Sequence, residues 1–354
     1  MERVPATPRR ARRTALAVVA FTLLLTAACT SDDGSSGAPS EEGSATPTSL
    51  AVPDLVQEVA PAVVAIEVST PEGAGQGSGA ILEGDGLVVT NDHVVSSAER
   101  VVVVLADGSR EPAEVVATDA YTDLALVRID RSGLPAVELA DELPPIGAPV
   151  VSIGNPLGFE NTVTAGIVSG LQRSIPQAAA RGEQALVDLI QTDAAISPGS
   201  SGGVLVGADG RIVGINVAYL PPQSGAVSLG FAIPAPTVED VVADLLDDGR
   251  AEHPYLGVQL AAVTPQLAER FELSARRGVL AAAVEAGGPA ADGGLQEGDV
   301  ITALDGTDVG SVGAFLTQLR RVDPGDAVQL TVVRSGEEAT LTIEVGERPP
   351  ADAG

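Results

Sequence analysis

The 354-residue sequence has one cysteine, two histidines and no tryptophan or lysine, and only 2% of its residues are aromatic. A single cysteine excludes an intramolecular disulfide. Two histidines and one cysteine leave no cluster of metal ligands, so we expect neither a metal nor a cofactor. With so few aromatic side chains, the cores must be built from valine, isoleucine, leucine and alanine. All basic residues being arginine indicates a compositional bias of the genome.

Positive charge is scarce as well, because 20 arginines face 48 acidic residues and the net charge is −28. A chain this acidic is not expected to bind nucleic acid or anionic lipid through its surface charge. A phosphate-binding loop is also missing, since the glycine-rich segment 73–79 lacks the Lys-Ser/Thr ending.

The N-terminus has the pattern of a targeting segment. Four arginines over residues 9–13 directly precede an apolar run over residues 14–28, which is shorter than the roughly 20 residues of a membrane-spanning helix. We predict a signal peptide over residues 1–28. Small residues before Cys29 resemble the bacterial lipobox, in which the cysteine is lipidated; an uncleaved signal anchor is the alternative. Residues 30–50 are rich in Ser, Gly, Pro and Glu, which predicts that residues 29–50 form a flexible tether.

Residues 51–236 show many short valine-rich runs separated by turn signals such as Gly84-Asp85-Gly86 and Ala106-Asp107-Gly108. This pattern is typical of strands in a barrel or a sandwich. Three local sequences in the region carry chemistry: a strand running into His93, Asp123 at a strand entrance, and Ser201 within a glycine-rich loop. A serine nucleophile needs a base, which histidine supplies near neutral pH, and a carboxylate to orient that histidine. The order His, Asp, Ser is that of the chymotrypsin-type enzymes.

The region resembles the HtrA (DegP-like) family of bacterial serine proteases, and the lipobox points to an actinobacterial lipoprotein. The blocks that carry the resemblance, in chain order, are 77–81 (GSGAI), 90–95 (TNDHVV), 123–126 (DLAL), 154–156 (GNP), 162–169 (TVTAGIVS), 191–196 (QTDAAI), 214–216 (GIN) and 230–234 (GFAIP). The resemblance implies a mainly β fold, with a chymotrypsin-like double six-stranded β-barrel over residues 51–236. It implies that His93 is the general base, Asp123 its orienting partner and Ser201 the nucleophile.

The same resemblance implies an oxyanion hole made by the backbone N–H groups of Gly199 and Ser201. Two residues depart from the family pattern: Ser200 stands where Asn is usual, and Val204 where Pro is usual. Ser201 is chosen as the nucleophile over Ser200 because it directly precedes Gly202-Gly203. We expect Ile196 and Leu229 to form the walls of the pocket that holds the residue before the scissile bond, although both fit an ordinary core equally well.

The C-terminal part resembles an α+β PDZ domain over residues 253–347, joined by a connecting helix over 237–252 and followed by a tail over 348–354. Tyr255, Leu256, Gly257 and Val258 match the loop and strand that bind a peptide C-terminus by β-augmentation. The alternative is a generic small β domain.

We therefore expect a membrane-anchored serine endopeptidase that faces the extracytoplasmic side and cleaves unfolded or damaged proteins. Its expected partners are these substrates, peptide C-termini at the PDZ groove, the membrane through a lipid on Cys29, and further copies of the chain in a homotrimer. The competing hypothesis is a catalytically silent chaperone or scaffold. An esterase on another fold is disfavoured, because the sequence lacks a Gly-x-Ser-x-Gly elbow.

Overall fold

The computed structural model describes residues 51–155, 162–175, 186–220, 229–270 and 275–349. The predicted signal peptide and the predicted tether, with Cys29, lie outside the described residues, as do residues 350–354 of the predicted tail. None of the helices in the described ranges has both the length and the apolar character needed to cross a membrane.

The N-terminal part of the described chain forms a closed six-stranded barrel. It follows helix α1 (Val52–Val59) and a 3₁₀ turn (Ala60–Ala62). Its strands are β1 (Val63–Thr70), β2 (Gly73–Glu83), β3 (Leu87–Thr90), β4 (Arg100–Val104), β5 (Arg110–Asp119) and β6 (Leu124–Ile129). They are joined in the order β1-β2-β3-β6-β5-β4, and helix α2 (Asp92–Val95) follows β3.

The next part of the chain forms a second closed six-stranded barrel. Its strands are β7 (Pro149–Gly154), β8 (Thr162–Ile175), β9 (Leu186–Thr192), β10 (Val204–Gly207), β11 (Ile212–Leu220) and β12 (Leu229–Pro234). These strands close in the order β10-β11-β12-β9-β8-β7. Helix α3 (Ala235–Asp247) follows, and its apolar residues Val238, Val241 and Leu245 are buried.

Aliphatic side chains hold the two barrels together. Each barrel has an interior cluster of its own, such as the one that contains Ile66 and Val127 in the first. A third cluster joins residues of both barrels, including Leu126 of β6 and Ile153 of β7. Because burial of apolar area is the main driving force of packing, this shared cluster fixes the seam between the barrels, where the loop after β9 contacts β2.

The C-terminal part folds around its own core. Strands β13 (Pro254–Tyr255) and β20 (Gly346–Glu347) pair with each other. The larger sheet runs in the order β14-β15-β16-β18-β19, and β17 pairs with β16. Its strands are β14 (Val258–Ala262), β15 (Val279–Val284), β16 (Val300–Leu304), β17 (Thr307–Asp308), β18 (Ala327–Arg334) and β19 (Glu337–Glu344); the helices are α4 (Pro265–Arg270), α5 (Pro289–Asp292) and α6 (Val312–Leu319). Phe315 of α6 is fully buried in this core.

The predicted fold class is confirmed: two closed six-stranded barrels precede a sheet-rich module with helices. The predicted domain limits stay predictions.

Candidate active site

The predicted base, His93, lies on helix α2, which packs against the first barrel. Val94 and Val95 pack into the barrel core, which fixes α2 and the position of His93. The Nδ1 atom of His93 lies 2.7 Å from Oδ2 and 3.0 Å from Oδ1 of Asp123, and its backbone N–H donates to Oδ1 at 2.9 Å. A carboxylate only accepts, so Nδ1 carries the proton and Nε2 is left free to act as a base.

Asp123 ends a tight turn, residues 119–123. The Asp119 carboxylate accepts from the backbone N–H groups of Tyr121 at 3.2 Å and Thr122 at 3.1 Å, and from the Thr122 hydroxyl. Asp123 has a φ of +60°, a conformation that costs a non-glycine residue about 1–2 kcal/mol. The side-chain amide of Asn91 donates to the Asp123 carbonyl at 2.8 Å and thereby helps to hold this strained backbone against His93.

Two more carboxylates lie around this pair. Burial raises the pKa of Asp92 to about 6; the charges of Asp123 and Asp119 act in the same direction, and a hydrogen bond from Thr118 opposes them. Burial also acts to raise the pKa of Asp119, but the hydrogen bond and charge of His253 outweigh it and bring that pKa below its ordinary value. The two carboxylates therefore differ: burial keeps Asp92 protonated to a higher pH than usual, and His253 keeps Asp119 ionised to a lower pH than usual.

The predicted nucleophile lies in the loop between β9 and β10. Gly199 and Gly202 have φ values of +90° and +85°, which glycine adopts without steric cost. The hydroxyl of Ser201 is buried and donates to the Val217 carbonyl at 3.3 Å. Within the described ranges no hydrogen bond joins this hydroxyl to His93.

The first barrel nevertheless brings α2 close to the serine. The backbone N–H of Ser78 donates to the Ser201 carbonyl at 2.7 Å. A Cβ atom on Gly77 would lie 2.7 Å from a methyl group of Val94 and 3.3 Å from the Ser201 carbonyl oxygen. Gly77 of β2 thus lies between Val94, the residue after His93, and the backbone of Ser201.

Two backbone donors of the same loop are available. Among the described residues, the N–H groups of Gly199 and Ser201 donate no hydrogen bond. The intervening peptide is fixed, because the N–H of Ser200 donates to the Ser197 carbonyl at 2.9 Å. Free, fixed N–H groups beside a hydroxyl are the arrangement that stabilises an oxyanion.

The two predicted pocket walls lie near this loop. Ile196 is buried, and a Cβ atom on Gly230 would lie 2.8 Å from its Cδ1 atom. Leu229, the neighbour of Gly230, is partly buried and packs against the cluster shared by the barrels. The loop before β12, residues 221–228, lies outside the described residues.

The predicted peptide loop connects β13 to β14. Leu256 is buried, Gly257 has a φ of +69°, and Val258 begins β14. β14 is the terminal strand of its sheet, with β15 on one side. Tyr255 pairs with Gly346, and its hydroxyl donates to Glu285. A terminal strand after a glycine turn is suited to pairing with a peptide.

The C-terminal module contacts the turn that carries Asp123. Nε2 of His253 lies 2.9 Å from Oδ1 of Asp119, and both side chains are almost fully buried. The ring of Tyr121 meets the His253 ring edge-on with centroids 5.1 Å apart, and the Tyr121 hydroxyl donates to the Pro349 carbonyl at 3.0 Å. Farther away, the partly buried guanidinium of Arg320 donates to the Val187 carbonyl at 3.2 Å.

Three residues of the site, Asp92, Asp119 and Ser78, were not predicted from the sequence. Asp92 and Asp119 flank the two predicted site residues, yet aspartate beside a helix or turn is common as a cap. Ser78 belonged to a block that indicated only a strand. Its position between two glycines was the available signal, because small neighbours permit close approach of another backbone.

Comparison with known proteins gives two family matches. The trypsin-like peptidase domain model matches residues 77–215, and the PDZ domain model matches residues 254–345. The "Probable periplasmic serine endoprotease DegP-like" of Halomonas elongata is 39% identical over 279 residues, which cover 78% of this chain and 58% of that relative. The chain therefore spans less than three fifths of this relative's length. The "Putative serine protease HhoB" of Synechocystis is 39% identical over 289 residues, covering 79% of this chain and 68% of that one.

Solved structures give the same picture. The structure described as "HtrA-type protease AlgW with decapeptide" is 36% identical, with a TM-score of 0.68, and the match covers 85% of this chain and 100% of that one. The serine endoprotease of Yersinia pestis is 30% identical with a TM-score of 0.63, covering 85% and 99%. These proteases therefore resemble the chain in sequence as well as in fold.

Proposed function

Because the chain belongs to the HtrA family of serine proteases, we propose that it is an extracytoplasmic serine endopeptidase that hydrolyses peptide bonds of unfolded or damaged proteins. One observation carries the proposal: the His93–Asp123 pair of the first barrel lies across the seam from a glycine-lined loop with Ser201 and two free backbone N–H groups. The fold alone would not support an activity, because one fold hosts many functions.

In the proposed reaction, the Ser201 hydroxyl leaves the Val217 carbonyl and turns toward Nε2 of His93. Its oxygen attacks the substrate carbonyl carbon while its proton passes to Nε2, and Asp123 stabilises the imidazolium that forms. The N–H groups of Gly199 and Ser201 bind the oxyanion. The tetrahedral intermediate then collapses, the C–N bond breaks, and Nε2 returns the proton to the leaving amine. A water molecule, activated by His93, hydrolyses the acyl-enzyme by the same steps.

The substrate class follows from the surfaces around the loop. An unfolded chain offers extended backbone and exposed apolar side chains. Ile196 and the partly buried Leu229 are the proposed walls of an aliphatic pocket, which favours small or medium apolar residues before the scissile bond. We propose that the free edge of β14 binds peptide C-termini, through residues Tyr255, Leu256, Gly257 and Val258.

Attachment to the membrane is proposed to occur through a lipid on Cys29, after removal of residues 1–28. The periplasmic names of the relatives support an extracytoplasmic location. The wild-type chain should incorporate a labelled fatty acid and lose residues 1–28, and Cys29→Ser should do neither. A wild-type chain that carries no label and keeps residues 1–28 would favour an uncleaved signal anchor.

Assembly into a homotrimer is proposed from the family and from an apolar groove beside α1. The groove has a volume of about 620 Å³ and is lined mainly by Val52, Pro53, Val56, Ala60 and Val163. Val52 and Val163 are 43% and 37% exposed. Exposed apolar surface of this kind favours contact with another chain. A monomeric mass in light scattering would contradict the trimer.

The activity is tested with two neighbouring serines. We expect Ser201→Ala to abolish hydrolysis of casein and labelling by a serine-directed fluorophosphonate, whereas Ser200→Ala retains both. The comparison is matched, because each variant loses one buried hydroxyl of the same loop. Loss of labelling only in Ser200→Ala would move the nucleophile by one residue. A folded wild-type chain that is never labelled but binds peptide would establish the silent chaperone or scaffold instead.

A further inference from the structure

Ser78 makes four hydrogen bonds in the seam between the barrels. Its hydroxyl donates to the Gly199 carbonyl at 2.7 Å and accepts from the Asn155 N–H at 2.8 Å. Its N–H donates to the Ser201 carbonyl at 2.7 Å, and its carbonyl accepts from the Thr90 hydroxyl at 2.7 Å. The residue is completely buried. One side chain of β2 thus contacts the nucleophile loop and the end of β7.

The peptide bond held by this hydroxyl lies between the two oxyanion donors. The Gly199 N–H belongs to the peptide before it, and the Ser201 N–H belongs to the peptide after it. Ser78 holds its carbonyl end, while Ser197 holds its N–H end by accepting from Ser200 at 2.9 Å. A peptide is planar, so fixing both ends of the middle one restricts the directions of both neighbouring N–H groups.

The backbone segments around this contact pack closely against one another. A Cβ atom on Gly202 would overlap the Ser78 carbonyl oxygen and approach the Thr90 hydroxyl. A Cβ atom on Gly154 would lie 3.0 Å from Cα of Ser200. Glycines therefore allow the three segments to touch, and the Ser78 hydroxyl is the polar group placed between them.

We propose that Ser78 is a positioning residue for the hydrolysis: its hydroxyl holds the Gly199–Ser200 peptide so that the N–H groups of Gly199 and Ser201 point together at the oxyanion. This inference rests on the proposed function. The residue does not touch substrate, and it acts through the loop. An oxyanion forms only after attack, so the contribution falls on the chemical step and not on substrate binding.

The test replaces Ser78 with Ala and measures kcat and KM with an unstructured peptide substrate, along with the rate of fluorophosphonate labelling. Loss of one oxyanion donor costs roughly 10²–10³-fold in kcat, so a loosened loop should cost about 10–100-fold, with KM changed less than about 3-fold. The matched control is Thr90→Val, which removes a buried hydroxyl from the same cluster without touching Gly199. It should lower the unfolding midpoint comparably and leave kcat within about 3-fold.

A second measurement does not depend on activity. In the Ser201→Ala background, Ser78→Ala should speed hydrogen exchange of the Asn155 amide, which loses its acceptor, whereas Thr90→Val should not. Unchanged exchange, or equal kcat losses in both variants, would overturn the positioning role. If the wild-type chain is never labelled while the exchange effect appears, the proposed function fails, and Ser78 is only a structural clamp. If the wild type is active and Ser78→Ala keeps full kcat, the function stands and this inference fails.

Discussion

At the residue scale, the most unusual group is the carboxylate of Asp92, next to the proposed general base His93. Asp92 is held between β5 and the turn of residues 119–123, and burial raises its pKa to about 6. Its neighbours Asp119 and Asp123 are both buried and belong to hydrogen-bonded pairs with histidines. Asp92 lacks such a partner in the described chain, so it is the member of the group that gains a proton near neutral pH.

The effect of Asp92 on stability has a definite sign. Its pKa in the folded state lies above the ordinary value of 3.8, so the folded state binds the proton more tightly. The stabilisation is fully present below about pH 4 and is lost as the pH rises through about 6. Asp92→Asn should therefore raise the unfolding temperature relative to wild type at pH 7.5 and change it little at pH 4. Equal shifts at the two pH values in thermal unfolding would contradict this assignment.

At the element scale, much of the fold could be predicted from the sequence, because valine-rich runs with Asp-Gly turns specify short strands. The choice of His93 and Asp123 came from the order His, Asp, Ser and from the HtrA-like sequence blocks, and the structure places the two side chains in contact. Closure of the barrels was expected only from the resemblance to the HtrA family and not from the local pattern. The partners of Ser78 could not be predicted, since they depend on contacts between distant residues: Ser78 and Gly199 are 121 positions apart. The role of His253 depends on docking of the C-terminal module, and no local pattern specifies that contact.

Gly202 lies in close contact with Ser78 of β2, and this contact leads to a testable prediction. Replacement with Ala places a methyl group on the Ser78 carbonyl, in a backbone with a φ of +85°. The expected cost is about 3 kcal/mol or more in the free energy of unfolding, from overlap and strain together. Gly108→Ala is the control: its φ is +82°, but a Cβ atom there would have no neighbour within 4 Å. It should cost only about 1–2 kcal/mol in chemical denaturation. Similar costs for both would show that the seam accommodates the methyl group.

At the scale of the whole molecule, the C-terminal module docks on the barrels through two separate contacts. One is the buried His253–Asp119 pair beside the catalytic turn. In the other, α6 lies against β8 and β9, with Arg320 bonded to the Val187 carbonyl. Helix α6 also contacts β14, the strand proposed to bind peptides. The same helix therefore contacts both the proposed peptide-binding strand and the second barrel.

This second contact predicts the effect of one methyl group on α6. A Cβ atom on Gly313 would lie 2.9 Å from Cβ of Ser174 and even closer to its hydroxyl. Gly313→Ala should loosen docking while both cores stay folded, and so speed proteolytic cleavage near residues 248–252. Gly310→Ala is the control, because its nearest neighbour would be an Arg277 nitrogen at 3.6 Å. If Gly313→Ala unfolds the module, seen as loss of its circular dichroism transition, the contact is part of the fold and not a docking surface.

His93 and Asp123 lie far from Ser201 along the chain, and this separation has a consequence for biosynthesis. A chain emerging N-terminus first can complete the barrel with His93 and Asp123 while Ser201, some 78 residues after Asp123, is still being made or exported. Ser78 then has neither Gly199 nor Asn155 to bind. If the proposed function holds, a half-translocated polypeptide has no complete active site in the export channel, and peptide hydrolysis becomes possible only when the second barrel closes.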